Sequence, residues 1–178
     1  ESHSSITVEA PTISIEGKEE AIVAFSNGEI NVTGNATIKG GSALIDTRGY
    51  ASVNINRDNS NATTVLEGDI VFETPNVEGG DGNFSGNLID AFVNINLSGE
   101  GSSWTGRSYQ SYKYVDASNG TVAVVTSEIG ENREYFGQVS GLVLSVAKGA
   151  KWETTGDSFA NVLNMDSGNF CLLYTSDA

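Results

Sequence analysis

A six-residue repeat is the feature that most constrains the fold of this chain. Residues 51–56 read ASVNIN and residues 91–96 read AFVNIN, so the pattern A-x-V-N-I-N returns after 40 residues. Such periods are typical of solenoids, whose rungs must stack because no single rung can bury its apolar face. If one rung takes about 20 residues, the repeat spans two rungs, and residues 68–72 belong to the rung between. Asn54 and Asn94 are then expected in one asparagine ladder, two rungs apart.

The rest of the chain carries short β-type runs and no helical periodicity. Apolar residues do not recur at i, i+3, i+4 and i+7 over several turns, whereas β-branched runs of three to five residues do recur between turn formers. Asn27-Gly28 and Asn119-Gly120 are examples of those turn formers. The pattern predicts an all-β fold, a single-stranded parallel β-helix of about eight rungs. An antiparallel β-sandwich or barrel is the alternative, since short strands with frequent turns fit that class as well.

Composition excludes several classes of function. The chain has 178 residues with 9 Lys and Arg against 23 Asp and Glu, a formal net charge of −14. An acidic chain repels phosphates, so nucleic-acid binding and a basic membrane-surface patch are not expected. No apolar run reaches the length of a spanning helix, about 18 residues. The opening residues ESHSS lack a signal-peptide pattern and read as the start of an internal fragment.

The last eight residues differ in composition from the rest. Residues 171–178, CLLYTSDA, contain none of the turn-forming Gly and Asn residues that are frequent upstream. They resemble the in-frame translation of a transposase-end adapter used in sequencing-library preparation, with a native final strand as the alternative. On the adapter interpretation this tail is non-native, and Cys171, the single cysteine, is excluded from fold reasoning. Residues 1–170 would then form one domain.

Two stretches near the end carry a resemblance to a known family. Residues 142–158, LVLSVAKGAKWETTGDS, and 162–170, VLNMDSGNF, resemble the last rungs of pertactin-like autotransporter passengers. Residues 66–70, 93–97 and 101–106 look like the rungs just upstream in the same proteins. The resemblance implies a right-handed β-helix whose final rungs act as a fold nucleus. Its nucleus candidates are Trp152, Gly156, Leu163 and Phe170.

The same resemblance implies a function. Passengers of this family are secreted across a Gram-negative outer membrane by their own C-terminal β-barrel translocator, which this fragment would lack. We expect a monomeric, non-catalytic stalk at the cell surface or outside the cell, supporting adhesion or aggregation as a virulence adhesin does. Its partners would be glycans or proteins on host or bacterial surfaces. The alternatives are a fragment of a β-helical carbohydrate-active enzyme and a phage or surface-layer spike.

Catalytic and metal chemistry find little support in the sequence. Carboxylates facing each other across a groove could hydrolyse glycosides, and Asp69 with Asp90 or Glu67 with Glu73 are the conceivable pairs. His3, the only histidine, lies near the start of the chain, which leaves no histidine base and no zinc ligand set. Residues 79–83, GGDGN, match half of one calcium-binding repeat, but they occur once. We therefore expect no catalytic residue, no cofactor and no metal ion.

An aromatic cluster is the best sequence candidate for binding. Rigid aromatic side chains can stack on sugars or anchor protein partners at low entropic cost. The candidate ligand contacts are Trp104, Tyr109, Tyr112 and Tyr114. They fall in or beside a tyrosine-rich insertion that we predict to form a lateral loop near residues 107–118. The alternative is that these rings fold back and cover the wall of the solenoid.

Overall fold

A computed structural model describes residues 3–25, 27–48, 51–78, 91–115, 122–127 and 141–166. These residues form strands and turns, and no helix occurs among them. The strands in chain order are β1 Ser4–Gly17, β2 Glu20–Phe25, β3 Gly28–Gly40, β4 Ala43–Arg48, β5 Ala51–Ile55, β6 Thr64–Glu67, β7 Ile70–Glu78, β8 Ala91–Leu97, β9 Ser103–Thr105, β10 Ser108–Val115, β11 Val122–Ser127, β12 Gly141–Val146, β13 Lys151–Glu153 and β14 Val162–Met165.

The strands pair in three parallel columns. In the first, the amino-terminal halves of β1 and β3 are followed by β5, β8, β12 and β14. In the second, the carboxy-terminal halves of β1 and β3 are followed by β6, β9 and β13. In the third, β2, β4, β7 and β10 pair in that order. The chain visits the columns repeatedly in the same sequence, and the result is an all-β fold of parallel strands in a curled open sheet, compatible with a β-helix.

Alternation along the strands places one set of side chains in a shared core. Val53, Val93 and Leu142 are paired across β5, β8 and β12, and each is fully buried. Ile55, Ile95 and Leu144 repeat this arrangement two residues further on, because side chains at i and i+2 share one face. Each such side chain contributes about 1.5–3 kcal/mol of burial free energy. The core therefore runs from strand to strand instead of belonging to any one of them.

The 40-residue repeat corresponds to one circuit, and the prediction of two was wrong. Ala51 pairs directly with Ala91, while Ser4 pairs with Gly28, 24 residues later, and Gly28 with Ala51, 23 residues later. The third circuit is longer because it includes the turn after Ile55 and the segment between β7 and β8. Residues 68–72 lie in that same circuit, with 68 and 69 at the corner between the second and third columns and 70–72 in the third. The first column holds six strands in the described ranges, not the expected eight rungs.

The predicted lateral loop is largely a strand. Residues 108–115 form β10, which pairs in parallel with β7 and antiparallel with β11. The β10–β11 pair is the one antiparallel contact among the described strands, and the other described strand pairs are parallel. The alternative of an antiparallel sandwich is therefore wrong for this part of the chain. The GGDGN segment, Asp90, Phe170 and the tail 171–178 lie outside the described residues.

Candidate functional site

The outward surface of the first column carries a ladder of asparagine side chains. Asn31, Asn54 and Asn94 occupy matching positions on β3, β5 and β8. The Nδ2 atom of Asn54 donates to Oδ1 of Asn31 at 2.8 Å, and Nδ2 of Asn94 donates to Oδ1 of Asn54 at 2.7 Å. Asn54, between the other two, is only 6% exposed. The predicted ladder is confirmed, with Asn54 and Asn94 on adjacent strands.

An aromatic ring and a groove flank this ladder. Phe92 precedes Asn94 by two residues, so its side chain points from the same face, and it is 42% exposed. Ser52 of β5 and Glu29 of β3 continue its row across the column. At the Asn31 end of the ladder, a groove of about 260 Å³ crosses the row of amides, from Glu29 to the turn that comes after β5; its polar lining includes Asn31, Thr33, Asn54, Arg57, Asp58 and Asn59.

The groove continues into a wider concavity at the corner between the first and second columns. Thr33 and Asn59 line both spaces, and the second has a volume of about 610 Å³. At this corner β1 and β3 simply bend, whereas the third circuit inserts the turn of residues 56–63. That turn therefore forms a wall beside the flatter corners of the two preceding circuits.

Asn56 fixes the start of this turn and was not singled out from the sequence. Its side chain is 1% exposed and its φ is 51°, a left-handed conformation that asparagine tolerates better than most residues. Its Nδ2 donates to the Gly34 carbonyl and to Oγ1 of Thr64, each at 2.8 Å, and its Oδ1 accepts from the Gly34 amide at 2.8 Å. The Asn56 side chain thus satisfies the backbone amide and carbonyl at the Gly34 bend of the preceding circuit. The last residue of the A-x-V-N-I-N motif was the available signal.

Trp104 lies in the core, which overturns its assignment as a ligand contact. It is 0% exposed, so no surface ligand can reach the ring. Trp152, one strand along, stacks on it with ring centroids 4.8 Å apart and an interplanar angle of 2°. The indole nitrogen of Trp104 donates to the Gly68 carbonyl at 2.9 Å, and that of Trp152 donates to the Gly106 carbonyl at 3.1 Å. Both polar atoms are thereby satisfied by backbone of the preceding circuit.

Tyr109 belongs to a polar cluster at the corner between the second and third columns. The Arg107 guanidinium lies 4.5 Å from the centre of the Tyr109 ring, and its Nε donates to Oδ2 of Asp69 at 3.1 Å. Burial, and after it the Asp69 charge, raises the pKa of Tyr109 above the usual value of about 10 for tyrosine. The side chains of Tyr112 and Tyr114 lie outside the described part of the chain, although both residues sit in β10.

The carboxylates considered for hydrolysis have other partners. Asp69 is paired with Arg107 through its Oδ2, and its Oδ1 accepts from the Arg107 amide at 3.1 Å. Glu67 lies 2.9 Å from Nζ of Lys39, and this hydrogen bond raises the pKa of Lys39. Their proposed partners, Asp90 and the Glu73 side chain, fall outside the described residues. His3 is exposed, 3.9 Å from Glu29.

Two of the fold-nucleus candidates, Gly156 and Leu163, lie at the surface. Gly156 is exposed and faces Arg107, where an added Cβ would come within 3.1 Å of the Arg107 Cδ. Leu163 is 38% exposed on β14. Trp152 instead packs, half-buried, against the core.

Neither a metal site nor a membrane-spanning helix is found in the described ranges. No group of three or more His, Cys, Asp or Glu side chains there could hold a metal ion. None of the described residues forms a helix long and apolar enough to cross a membrane. No family model, no curated protein and no solved structure matches the chain.

Proposed function

We propose that this chain is a segment of a right-handed β-helix that serves as a non-catalytic stalk in a pertactin-like autotransporter passenger. In this proposal the passenger is displayed or secreted at a Gram-negative outer membrane through its own β-barrel translocator. The stalk holds other parts of the passenger away from the cell and so supports adhesion or aggregation. The proposal rests on the resemblance of residues 142–170 to passenger rungs and on the parallel columns of strands.

The single observation that carries the stalk function is the continuity of the first column. Six strands succeed one another in parallel, and the core and the asparagine ladder both run across several of them. Such an arrangement transmits load along the stack, because each strand is held by backbone hydrogen bonds to the next. A stack of circuits resists bending without any dedicated site, which is what a display scaffold requires.

The absence of cysteine from residues 1–170 also fits this function. A chain that crosses the periplasm unfolded would meet an oxidising compartment, where cysteines form disulfides. The acidic, Asn- and Ser-rich surface keeps an extended protein soluble at the cell surface. Both properties would also suit another secreted solenoid, so the test must address display itself.

Display can be measured directly. Residues 1–170, placed between a secretory signal sequence and an autotransporter barrel with an epitope tag at the distal end, should bring the tag to the surface of intact cells. We expect Trp104→Ala to reduce the protease-resistant surface product, because the residue lies in the core. Phe25→Ala is the matched control, since Phe25 is 60% exposed, and it should leave display unchanged.

Two results would contradict the proposal. One is failure of the unmodified segment to reach the surface while an unrelated passenger does so through the same barrel. The other is hydrolysis or elimination activity of purified residues 1–170 on polysaccharides, which would favour the β-helical enzyme.

A further inference from the structure

We infer that the outward face formed by β3, β5 and β8 binds a neutral oligosaccharide. Phe92 provides a stacking platform for one sugar ring, and the amides of Asn31 and Asn94, held in place through Asn54, bind hydroxyl groups beside it. The groove next to Glu29 receives the adjoining sugar. This binding site goes beyond the stalk function and does not depend on it, because a soluble segment would carry the same face.

The register places these groups in one continuous strip. Phe92 and Asn94 point from the same face about 7 Å apart, the distance of two residues along a strand. Asn54 and Asn31 lie one and two strands away from Asn94, at successive steps of about 4.8 Å. Ring and amides thus occupy an area of the size of a short oligosaccharide, with the groove at its far edge.

The ladder leaves hydrogen-bonding capacity toward solvent. A carboxamide has two N–H donors and two acceptor lone pairs. Asn54 is nearly buried and uses one donor and one lone pair within the ladder, whereas among the hydrogen bonds of the described residues Asn31 Nδ2 donates none and Asn94 Oδ1 accepts none. The ladder also fixes the orientation of all three amides, so little side-chain entropy is lost when a ligand binds.

The chemistry of the strip fits sugar better than other ligands. Sugar rings present an apolar C–H face to an aromatic ring and hydroxyl edges to amides, which both donate and accept. Glu29, Asp58 and Arg57 all line the groove, so residues of both signs of charge are present there. The net charge of −14 disfavours anionic polymers.

A protein partner fits the strip less well. Stable protein interfaces bury on the order of 1,200–2,000 Å² around an apolar centre. Here the exposed large apolar groups near the amides are the ring of Phe92 and, two strands beyond Asn94 in the ladder row, Val162, which together fall short of such a centre. A polar strip with one aromatic platform matches a small polyhydroxylated ligand.

The experiment is a binding titration of purified residues 1–170 with defined probes. Cellohexaose, chitohexaose and mannohexaose are the neutral probes, and heparin is the anionic control, each followed by calorimetry. We expect at least one neutral probe to bind with a Kd of about 1 mM or tighter. Phe92→Ala should weaken that binding about tenfold, and Asn31→Ala should weaken it by a smaller factor.

Matched controls separate a loss of binding at this face from general effects of a substitution on folding. Phe25→Ala removes an aromatic ring of 60% exposure from β2, in a different column, and should leave the affinity unchanged. The near-ultraviolet circular dichroism of the stacked Trp104 and Trp152 reports whether each variant is folded. Phe92→Tyr, which keeps an aromatic ring, should retain binding.

Three outcomes would overturn the inference. These are the absence of binding to every neutral probe, binding of heparin alone, and a Phe92→Ala variant that is folded and binds as tightly as the unmodified protein. The surface-display experiment tests the stalk function independently of this inference, since it does not measure sugar binding.

Discussion

Trp104 and Trp152 stack face to face, with centroids 4.8 Å apart and planes 2° from parallel, across the directly paired strands β9 and β13. The centroid distance equals the usual spacing of adjacent strands, about 4.8 Å. The two indoles therefore repeat the strand ladder in their side chains, and each also donates to a glycine carbonyl of the circuit before it. This pair locks two late circuits in register.

Truncation of the two tryptophans should have unequal costs. Trp104→Ala removes a ring with no exposed surface and should lower the free energy of unfolding by about 3–5 kcal/mol. Trp152→Ala should cost clearly less, because that ring is half-buried. Urea unfolding followed by far-ultraviolet circular dichroism measures both. Equal costs would contradict the placement of Trp104 in the core.

The middle amide of the ladder should matter more than a peripheral one. Asn54→Ala removes two hydrogen bonds at a site that is 6% exposed and should destabilise the protein by about 1–3 kcal/mol. Asn164→Ala is the control: its exposed side chain makes one long bond, 3.3 Å, to Ser145, and its loss should change stability by less than about 0.5 kcal/mol. Chemical denaturation of the two variants in parallel decides the point, and similar values would argue against a stabilising ladder.

Asn56→Asp should make stability depend on acid pH. The amide nitrogen of Asn56 donates to the Gly34 carbonyl and to Oγ1 of Thr64, and a carboxylate in this buried position would repel the carbonyl oxygen and lose most of its hydration. The pKa of the introduced carboxyl group would therefore be raised in the folded state above its unfolded value of about 4. The stability of the variant should be greatest below about pH 4 and be lost as pH rises through the folded pKa. Unfolding curves from about pH 3 to about pH 7 against the unmodified protein provide the measurement, and a constant difference would refute the account of this turn.

Tyr109 should contribute a pH dependence at the alkaline end. Burial raises its pKa in the folded state, so folding favours the neutral phenol. Its contribution is fully present below about pH 10, the unfolded pKa, and declines as pH rises from there through the folded pKa. Compared with Tyr109→Phe, the unmodified protein should lose more stability between about pH 9 and about pH 11. Equal losses in both proteins would contradict the burial of this phenol.

Sequence reasoning predicted the alignment of strands better than their spacing. The shared motif of residues 51–56 and 91–96 correctly placed Asn54 and Asn94 in one ladder, because stacked strands place like residues side by side, but it set them two rungs apart where they are directly paired. It could not count circuits, since turn and insertion lengths vary between them while the paired positions do not. The 56–63 turn is an example of a length that hydrophobic alternation does not encode.

The site was less predictable than the fold. Trp104 is flanked by Ser103 and Thr105, so its inward direction results from the alternation of β9, but only once that strand is known to exist. The pairing of Asp69 with Arg107 joins residues 38 positions apart and depends on which circuits are adjacent. Phe92 drew no attention in the sequence, because its exposure becomes visible only when Ala91 and Val93 are seen to point inward.

The reading frame of the source DNA beyond the codon for Phe170 tests the stalk proposal most directly. Long reads prepared without transposase adapters would extend the protein sequence past that residue. The proposal predicts that CLLYTSDA disappears and that strands of about ten residues with alternating hydrophobicity take its place, as in a transmembrane barrel. A stop codon, or continuation into another soluble domain, would contradict the autotransporter passenger.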